Sequence, residues 1–289
     1  MGLIDFLKYP LHLYRKAYSK GVYSPWDDPE RSYMLDPKHQ SLLIEEIAGE
    51  MQVFSNAKFG TKLSLAEAAT IVENFLDVYR NKPFLDNQGG SPFTNALAVF
   101  FSIRVLKPKV IVESGVWKGM TTYLMHKANP DAKIHCFDLS FGKLEYRCPM
   151  AEYHEHDWGK YEFTEEISAD DVAFFDCHVD HSLRILEAHK KGFRQLIVDD
   201  NPPLHKLYSF GLPPFPTADM ILNEDLKDGE KIRWVWNTKN KEYTVDGKRF
   251  NEAKSLLLSS DAFPEVSSTS RYGVKRGTHS FLSYVTLSS

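Results

Sequence analysis

Cysteine is scarce in this chain: 289 residues hold three, Cys136, Cys148 and Cys177, and no two form a C-x-x-C pair. That scarcity argues against a zinc site or a disulfide framework and for a reducing compartment. Long apolar runs are missing too, and none approaches the roughly 20 residues of a transmembrane helix. Basic residues are not in excess: 35 Lys and Arg stand against 39 Asp and Glu, a net charge of −4. This leaves no electrostatic case for nucleic acid, which needs a basic face. A signal-peptide pattern is lacking, because Asp5 and Lys8 interrupt the first apolar residues and Pro10 follows. Phe6 stands where a myristoylation pattern after Gly2 needs Ser or Thr. The expectation is a cytoplasmic protein. No internal repeat or low-complexity tract occurs. What remains is 43% hydrophobic and 26% charged, an ordinary globular composition with length for one large domain, with or without an extension.

The first ninety residues read as helical. Leu3, Phe6, Leu7, Tyr14, Ala17 and Tyr18 share one face of a basic helix over residues 3–19. Such a helix can lie on an anionic membrane surface or pack on its own domain or a partner subunit, as in a homo-oligomer. The packed reading is favoured, because the apolar stripe is short and Pro10 kinks it. Gln40 to Val53 reads as a second helix. Ser64-Leu65-Ala66-Glu67 is a capping box that opens a third. Residues 86–92 are the clearest linker signal, followed by an apolar helix from Thr94 to Leu106. We therefore expect an N-terminal helical extension over 1–90 and an α/β domain over 91–289.

The organising stretch is Val110 to Thr122. Val110-Ile111-Val112 makes a short buried strand, Glu113 closes it, Gly115 and Gly119 follow, and a helix runs from Met120 to Ala128 until Asn129-Pro130. A strand, a glycine turn and a helix N-terminus together make a nucleotide-sized site, because glycine lets backbone approach ligand and the helix end offers free N–H groups. Candidate contacts are Glu113, Gly115, Trp117, Gly119 and Thr121. Lys133 to Phe137 is a second strand ending at Asp138, where doubly wound sheets place an acid on ribose hydroxyls. The G-x-G-x-x-G spacing of a nicotinamide site is absent.

Further strands are expected over residues 151–156, 171–176 and 194–198, with a helix from Asp180 to Lys191 ended by Gly192. This alternation of strand and helix predicts a doubly wound, mostly parallel α/β sheet with helices on both faces. Ligands bind beyond the carboxyl ends of such strands. Glu113, Asp138, Asp176, Asp199 and Asp200 therefore converge on one rim, a crowding that needs something to neutralise it. Asp176, Asp200 and Asn201 offer oxygens of the kind that magnesium prefers. The alternative for Asp199-Asp200-Asn201 is a turn before Pro202-Pro203. His178 and His181, close behind Asp176, are candidate bases. Beyond residue 215 we expect a helix over 217–226, a strand over 231–236, a hairpin around Asp246-Gly247, a short helix over 251–259 and a last strand over 280–287.

The E-x-G-x-x-x-G turn at Glu113 resembles the first motif of class I S-adenosylmethionine-dependent methyltransferases. Phe174-Phe175-Asp176 and Val198-Asp199-Asp200-Asn201 resemble the strand-end motifs of the metal-dependent O-methyltransferases related to catechol O-methyltransferase and macrocin O-methyltransferase. The resemblance covers roughly residues 92–205. It implies a seven-stranded Rossmann-like sheet closed by antiparallel late strands, with S-adenosylmethionine as methyl donor. It also implies a divalent metal, magnesium, on Asp176, Asp200 and Asn201, with Asp199 as alternate ligand. Residues 88–91 would border the donor, and Asp157-Trp158 would contact its adenine. One departure stands out: Val179 occupies the place of the family's lysine, which leaves the base to His178 or His181. The resulting expectation is methyl transfer to a hydroxyl of a small molecule or sugar. A metal-independent enzyme with a histidine base and a non-catalytic binding protein on the same fold remain open, as fold does not guarantee function.

Overall fold

The computed structural model describes residues 37–83, 90–209, 213–264 and 281–289. The expected helix over residues 3–19, and Gln88 and Gly89 of the linker, lie outside them. Helix α1 spans Pro37–Lys58 and α2 spans Leu65–Arg80. The capping box before α2 is present: the Glu67 amide donates to Ser64 Oγ at 3.3 Å and the Ser64 amide donates to Glu67 Oε2 at 2.8 Å. Helix α3, Phe93–Leu106, is buried along nearly its whole length, so it shows no amphipathic stripe. It is covered on both sides, by α2 and by the sheet domain.

The sheet is built from β1 (Val110–Ser114), β2 (Lys133–Phe137), β3 (Ala151–His154), β4 (Val172–Phe175), β5 (Gln195–Val198), β8 (Leu257–Ala262) and β9 (Ser283–Leu287). Their order is β3-β2-β1-β4-β5-β9-β8. The first five are parallel, and β9 inserts antiparallel between β5 and β8. Helices α4 (Met120–Ala128) and α5 (His181–Lys191) are the crossovers expected for parallel neighbours. The strands read as continuous apolar runs because both faces are covered. Ile111, Val172, Phe174 and Ile197 face a core shared with α1 to α4. Val112, Ala173, Phe175, Leu196 and Val198 face the opposite core, which includes Ile185 of α5. The doubly wound, mostly parallel seven-stranded sheet is therefore as expected. Leu43 to Tyr79 of α1 and α2 contribute buried side chains to the same core as β1, β4 and β5.

The late region departs from expectation. The hairpin joins β6 (Lys231–Trp236) to β7 (Lys239–Thr244) in a separate two-stranded sheet. Its turn is Asn237-Thr238, both at positive φ (47° and 64°), the conformation a two-residue hairpin turn requires. Asp246-Gly247 instead starts α7 (Gly247–Leu256), with Asp246 Oδ1 accepting from the Arg249 amide at 3.1 Å. Aspartate before glycine suits a hairpin and a helix cap alike, and here the cap wins. Residues 257–259 leave the expected helix for β8. Helix α6 is shorter than expected, Ala218–Asn223, and Thr217 caps it through the Met220 amide at 3.2 Å. No helix among the described residues is long and apolar enough to cross a membrane.

Candidate functional site

The strand order reverses between β1 and β4, so the loops leaving these strands part to opposite sides and open a crevice at their carboxyl ends. Gly115 leaves β1 at φ 92°, and a Cβ there would lie 2.3 Å from the Asp176 carbonyl oxygen. Only glycine lets the two loops run this close. Gly119 is also left-handed at φ 91°, with a would-be Cβ 2.4 Å from the Tyr146 carbonyl oxygen. Both glycines are thus required by backbone packing, and Gly115 also lines the crevice.

Asp138, at the end of β2, turns back to this loop. Its Oδ2 accepts from the amides of Val116 at 3.0 Å and Trp117 at 3.4 Å, and its Oδ1 accepts from Ser140 at 3.2 Å. The carboxylate therefore shapes the turn and still lines the crevice. The cavity measures about 480 Å³, within the usual range for a small-molecule site. Of the residues expected at the site, Gly115, Trp117, Asp138, Asp157, Asp176 and His178 line it.

Glu113 and Thr121 do not line it. Glu113 is fully buried and accepts from the hydroxyls of Thr121 and Thr122 and from Cys136 Sγ at 3.5 Å. It ties the end of β1 to the first turn of α4. Burial pushes its carboxyl up to about 7, against the lowering effect of those hydrogen bonds. The folded chain thus binds more protons than the unfolded one between about pH 4.5 and 7, and Glu113's contribution to stability fades as pH rises through that window. Relative to wild type, Glu113→Gln should remove this decline. Chemical denaturation across the window should show a difference on the order of 3 kcal/mol, and parallel curves for the two proteins would refute the assignment.

Trp158 is a correction. It is fully buried, packs on Phe175 at 5.0 Å and donates from Nε1 to Glu187 Oε2 at 2.9 Å. Its ring is core and covers no ligand. Asp157 does line the cavity, held by Arg184, which the sequence reading missed. Arg184 is buried and bridges Asp157, Glu187 at 2.7 Å and Cys177 Sγ at 3.3 Å. Burial alone would raise the Asp157 carboxyl, but hydrogen bonds from Arg184 and the Gly159 amide hold it below the ordinary range. The one sequence signal for Arg184 was a cation on the face of α5 that carries Ile185 and Ala188.

The acids beyond β4 and β5 stand close together. Burial, then the charges of Asp199 and Asp200, raise the Asp176 carboxyl well above the usual range. Asp199 Oδ1 accepts from Asn95 Nδ2 at 3.2 Å and from the Asp200 amide at 2.9 Å. Asp200 takes a left-handed backbone (φ 51°) and places Oδ2 3.0 Å from His178 Nδ1. His178 is left-handed too, at φ 52°, with a side chain 60% exposed. The hydrogen bond to Asp200 raises its pKa, outweighing burial.

Two further expectations are corrected. Asn201 is not a free oxygen ligand: its amide nitrogen donates to Ser260 Oγ at 3.0 Å and Ser283 Oγ at 2.9 Å, and its Oδ1 accepts from the Asp219 amide at 2.9 Å. It fastens β5 to β8 and β9 and to α6. His181 is buried in the core, its Nδ1 accepting from the Ala218 amide at 3.1 Å. Burial drives its pKa down to about 3, so it is a neutral, buried structural residue that does not line the crevice.

The strand order, the antiparallel β9 and the glycine crevice together form the class I methyltransferase architecture, a Rossmann-like fold. No protein-family model and no curated protein matches the sequence. Similar solved structures include the S-adenosylhomocysteine-bound methyltransferase PaMTH1 of Podospora anserina (14% identity, TM-score 0.39, 76% of this chain and 88% of that one). The O-methyltransferase TomG of Streptomyces achromogenes, in complex with S-adenosylmethionine, matches at 14% identity and TM-score 0.36, over 66% of this chain and 92% of that one. The 1,6-didemethyltoxoflavin N1-methyltransferase of Burkholderia thailandensis matches at 10% identity and TM-score 0.40, over 79% and 92%. Overlaps this low decide nothing about activity, and the architecture stands on the strand order itself.

Proposed function

We propose that this chain is an S-adenosylmethionine-dependent O-methyltransferase that acts on a hydroxyl of a small molecule or sugar. The observation that carries the reading is the crevice of about 480 Å³ at the β1–β4 reversal, lined by Gly115 at the turn after β1 and by the carboxylates of Asp138 and Asp157. Asp138 is the residue to hold ribose hydroxyls, and Asp157, at the far wall, faces the base. The bound donor supplies an electrophilic methyl group on a sulfonium.

The acceptor side is carried by His178. Its Nδ1–H donates to Asp200 Oδ2, which leaves Nε2 as the acceptor of a hydroxyl proton. This is a base fixed by a carboxylate, the arrangement that orients a histidine for proton transfer. A divalent cation, magnesium, fits the donor chemistry of Asp176, Asp199 and Asp200, because it would relieve the crowding of three carboxylates. There it would lower the pKa of a bound hydroxyl. Asn201, already engaged, is not among its ligands. The metal-free alternative is favoured by one observation: Asp200 already pairs with His178.

His178→Ala should keep donor affinity and lower turnover by about 10²–10⁴-fold. In wild type the acid limb of the rate profile should lie above the ordinary histidine value of about 6.5, because Asp200 raises His178. Asp200→Asn should move that limb down. Activity lost to chelator and restored by magnesium supports the metal, whereas activity indifferent to chelator supports the histidine alone. Full turnover in His178→Ala removes it as base.

A further inference from the structure

A second cluster of ligating side chains lies on β2 and β3, outside the crevice. The parallel register sets His135 opposite Glu152 and Phe137 opposite His154. Alternation then turns His135, Glu152 and His154 to one face. His135 Nδ1 and His154 Nε2 are 3.2 Å apart. Glu152 Oε2 lies 3.5 Å from the first and 3.9 Å from the second. Among the described residues this trio has its ligand atoms all within 4.8 Å of one another.

The dimensions are those of a zinc site. Zinc binds imidazole nitrogen and carboxylate oxygen at roughly 2.0–2.2 Å. A point equidistant from these three atoms, in their plane, lies about 2.1 Å from each. The surroundings also match. His135 Nε2 meets Glu165 Oε1 at 2.5 Å, so Nε2 carries the proton and Nδ1 presents a lone pair to the ligand point. A carboxylate behind a ligating histidine is the common support of zinc centres. Lys133 engages Glu152 through its other oxygen, Oε1, at 3.2 Å, and also reaches Glu165 Oε1 at 3.1 Å. That leaves Glu152 Oε2 to the site. Two glutamates, Glu152 and Glu165, stand against one lysine, Lys133, which leaves the pocket one carboxylate in excess. Tyr161 and Phe163 wall it in, 5.5 Å and 5.3 Å from the His135 ring. Glu152 is half exposed, which opens a path for the ion and a fourth position for water.

We propose that His135, Glu152 and His154 bind a divalent transition metal of the zinc class, with Glu165 orienting His135. The scarcity of cysteine spoke against zinc only for thiolate ligands, and two histidines with one carboxylate form an established zinc set without them. With no ion bound, a single proton shared between the two facing nitrogens satisfies the pair. The ion would clamp the edge strand β3 to β2. His156 and Asp157, just beyond β3, line the donor crevice, so the clamp braces one wall of it. This inference does not depend on the methyltransferase reading.

The test is titration of the full chain, stripped with chelator, with Co²⁺ followed by visible absorption and with Zn²⁺ followed by calorimetry. One equivalent of Co²⁺ should bind with the absorption of a low-coordinate site and be displaced by Zn²⁺, in the presence of excess magnesium to fill any oxygen site at Asp176, Asp199 and Asp200. Glu152→Gln, at a half-exposed position that leaves the fold alone, should weaken binding at least tenfold, and Glu165→Gln about tenfold. Asp176→Asn should leave it unchanged. Absence of saturable binding in the micromolar range would overturn the proposal. So would affinity unaltered in Glu152→Gln, or lost in Asp176→Asn.

Discussion

Gly115→Ala should abolish tight donor binding. Alanine at φ 92° carries a left-handed penalty of about 1–2 kcal/mol. Its Cβ would also sit 2.3 Å from the Asp176 carbonyl oxygen, so the loops after β1 and β4 must separate. The amide of Gly115 donates to the Phe137 carbonyl at 2.9 Å and that of Asp176 to the Ser114 carbonyl at 2.8 Å. Separation therefore strains the last rungs of β1 with both neighbours. We expect affinity for S-adenosylhomocysteine to fall at least a hundredfold, about 2.8 kcal/mol, with a lowered but still cooperative melting transition. Wild-type affinity in this variant would show that the ligand does not enter at the β1 turn.

Arg184→Met should be the most destabilising single change on the cavity wall. The guanidinium is 1% exposed and holds Asp157 and Glu187 together. Removing one partner of a buried ion pair strands the other charges, at about 3–5 kcal/mol. Asp157 is 37% exposed and water recovers part of its loss, so the lower end, about 3 kcal/mol, is expected. Lysine should not rescue it, because a single ammonium cannot span two carboxylates and the Cys177 sulfur. The double variant Arg184→Met/Glu187→Gln should regain part of the stability by removing the second stranded carboxylate. A melting temperature within a degree of wild type for Arg184→Met would refute this account of the wall.

The sheet was legible because both of its faces are buried. Continuous apolar runs such as Val172 to Phe175, each closed by an acid, and Gly192 after α5 mark strands and helix ends with little ambiguity. The rim acids were legible for the same reason, since whatever follows a parallel strand reaches the ligand edge. Which neighbours of those acids face the ligand was not. His178 and His181 look alike from Asp176, yet a left-handed backbone at His178 turns it to the rim while the start of α5 turns His181 into the core. Positive φ at a histidine or an aspartate leaves no composition signal. Asn201 failed as a ligand for a related reason: its partners Ser260 and Ser283 lie 59 and 82 residues away. Arg184 was hidden because a cation on a helix normally reads as solvated. The His135–His154 pair was hidden because the register of β2 against β3 has no signature in either strand alone.

The most direct measurement is calorimetric titration of the purified full chain with S-adenosylhomocysteine, with NAD as a control. A methyl-donor site at the β1–β4 crevice predicts one saturable site of micromolar or tighter affinity for S-adenosylhomocysteine, lost in Gly115→Ala and weakened in Asp138→Ala, with no heat from NAD. Saturable binding of NAD, or no binding of S-adenosylhomocysteine by the folded wild-type chain, would contradict it.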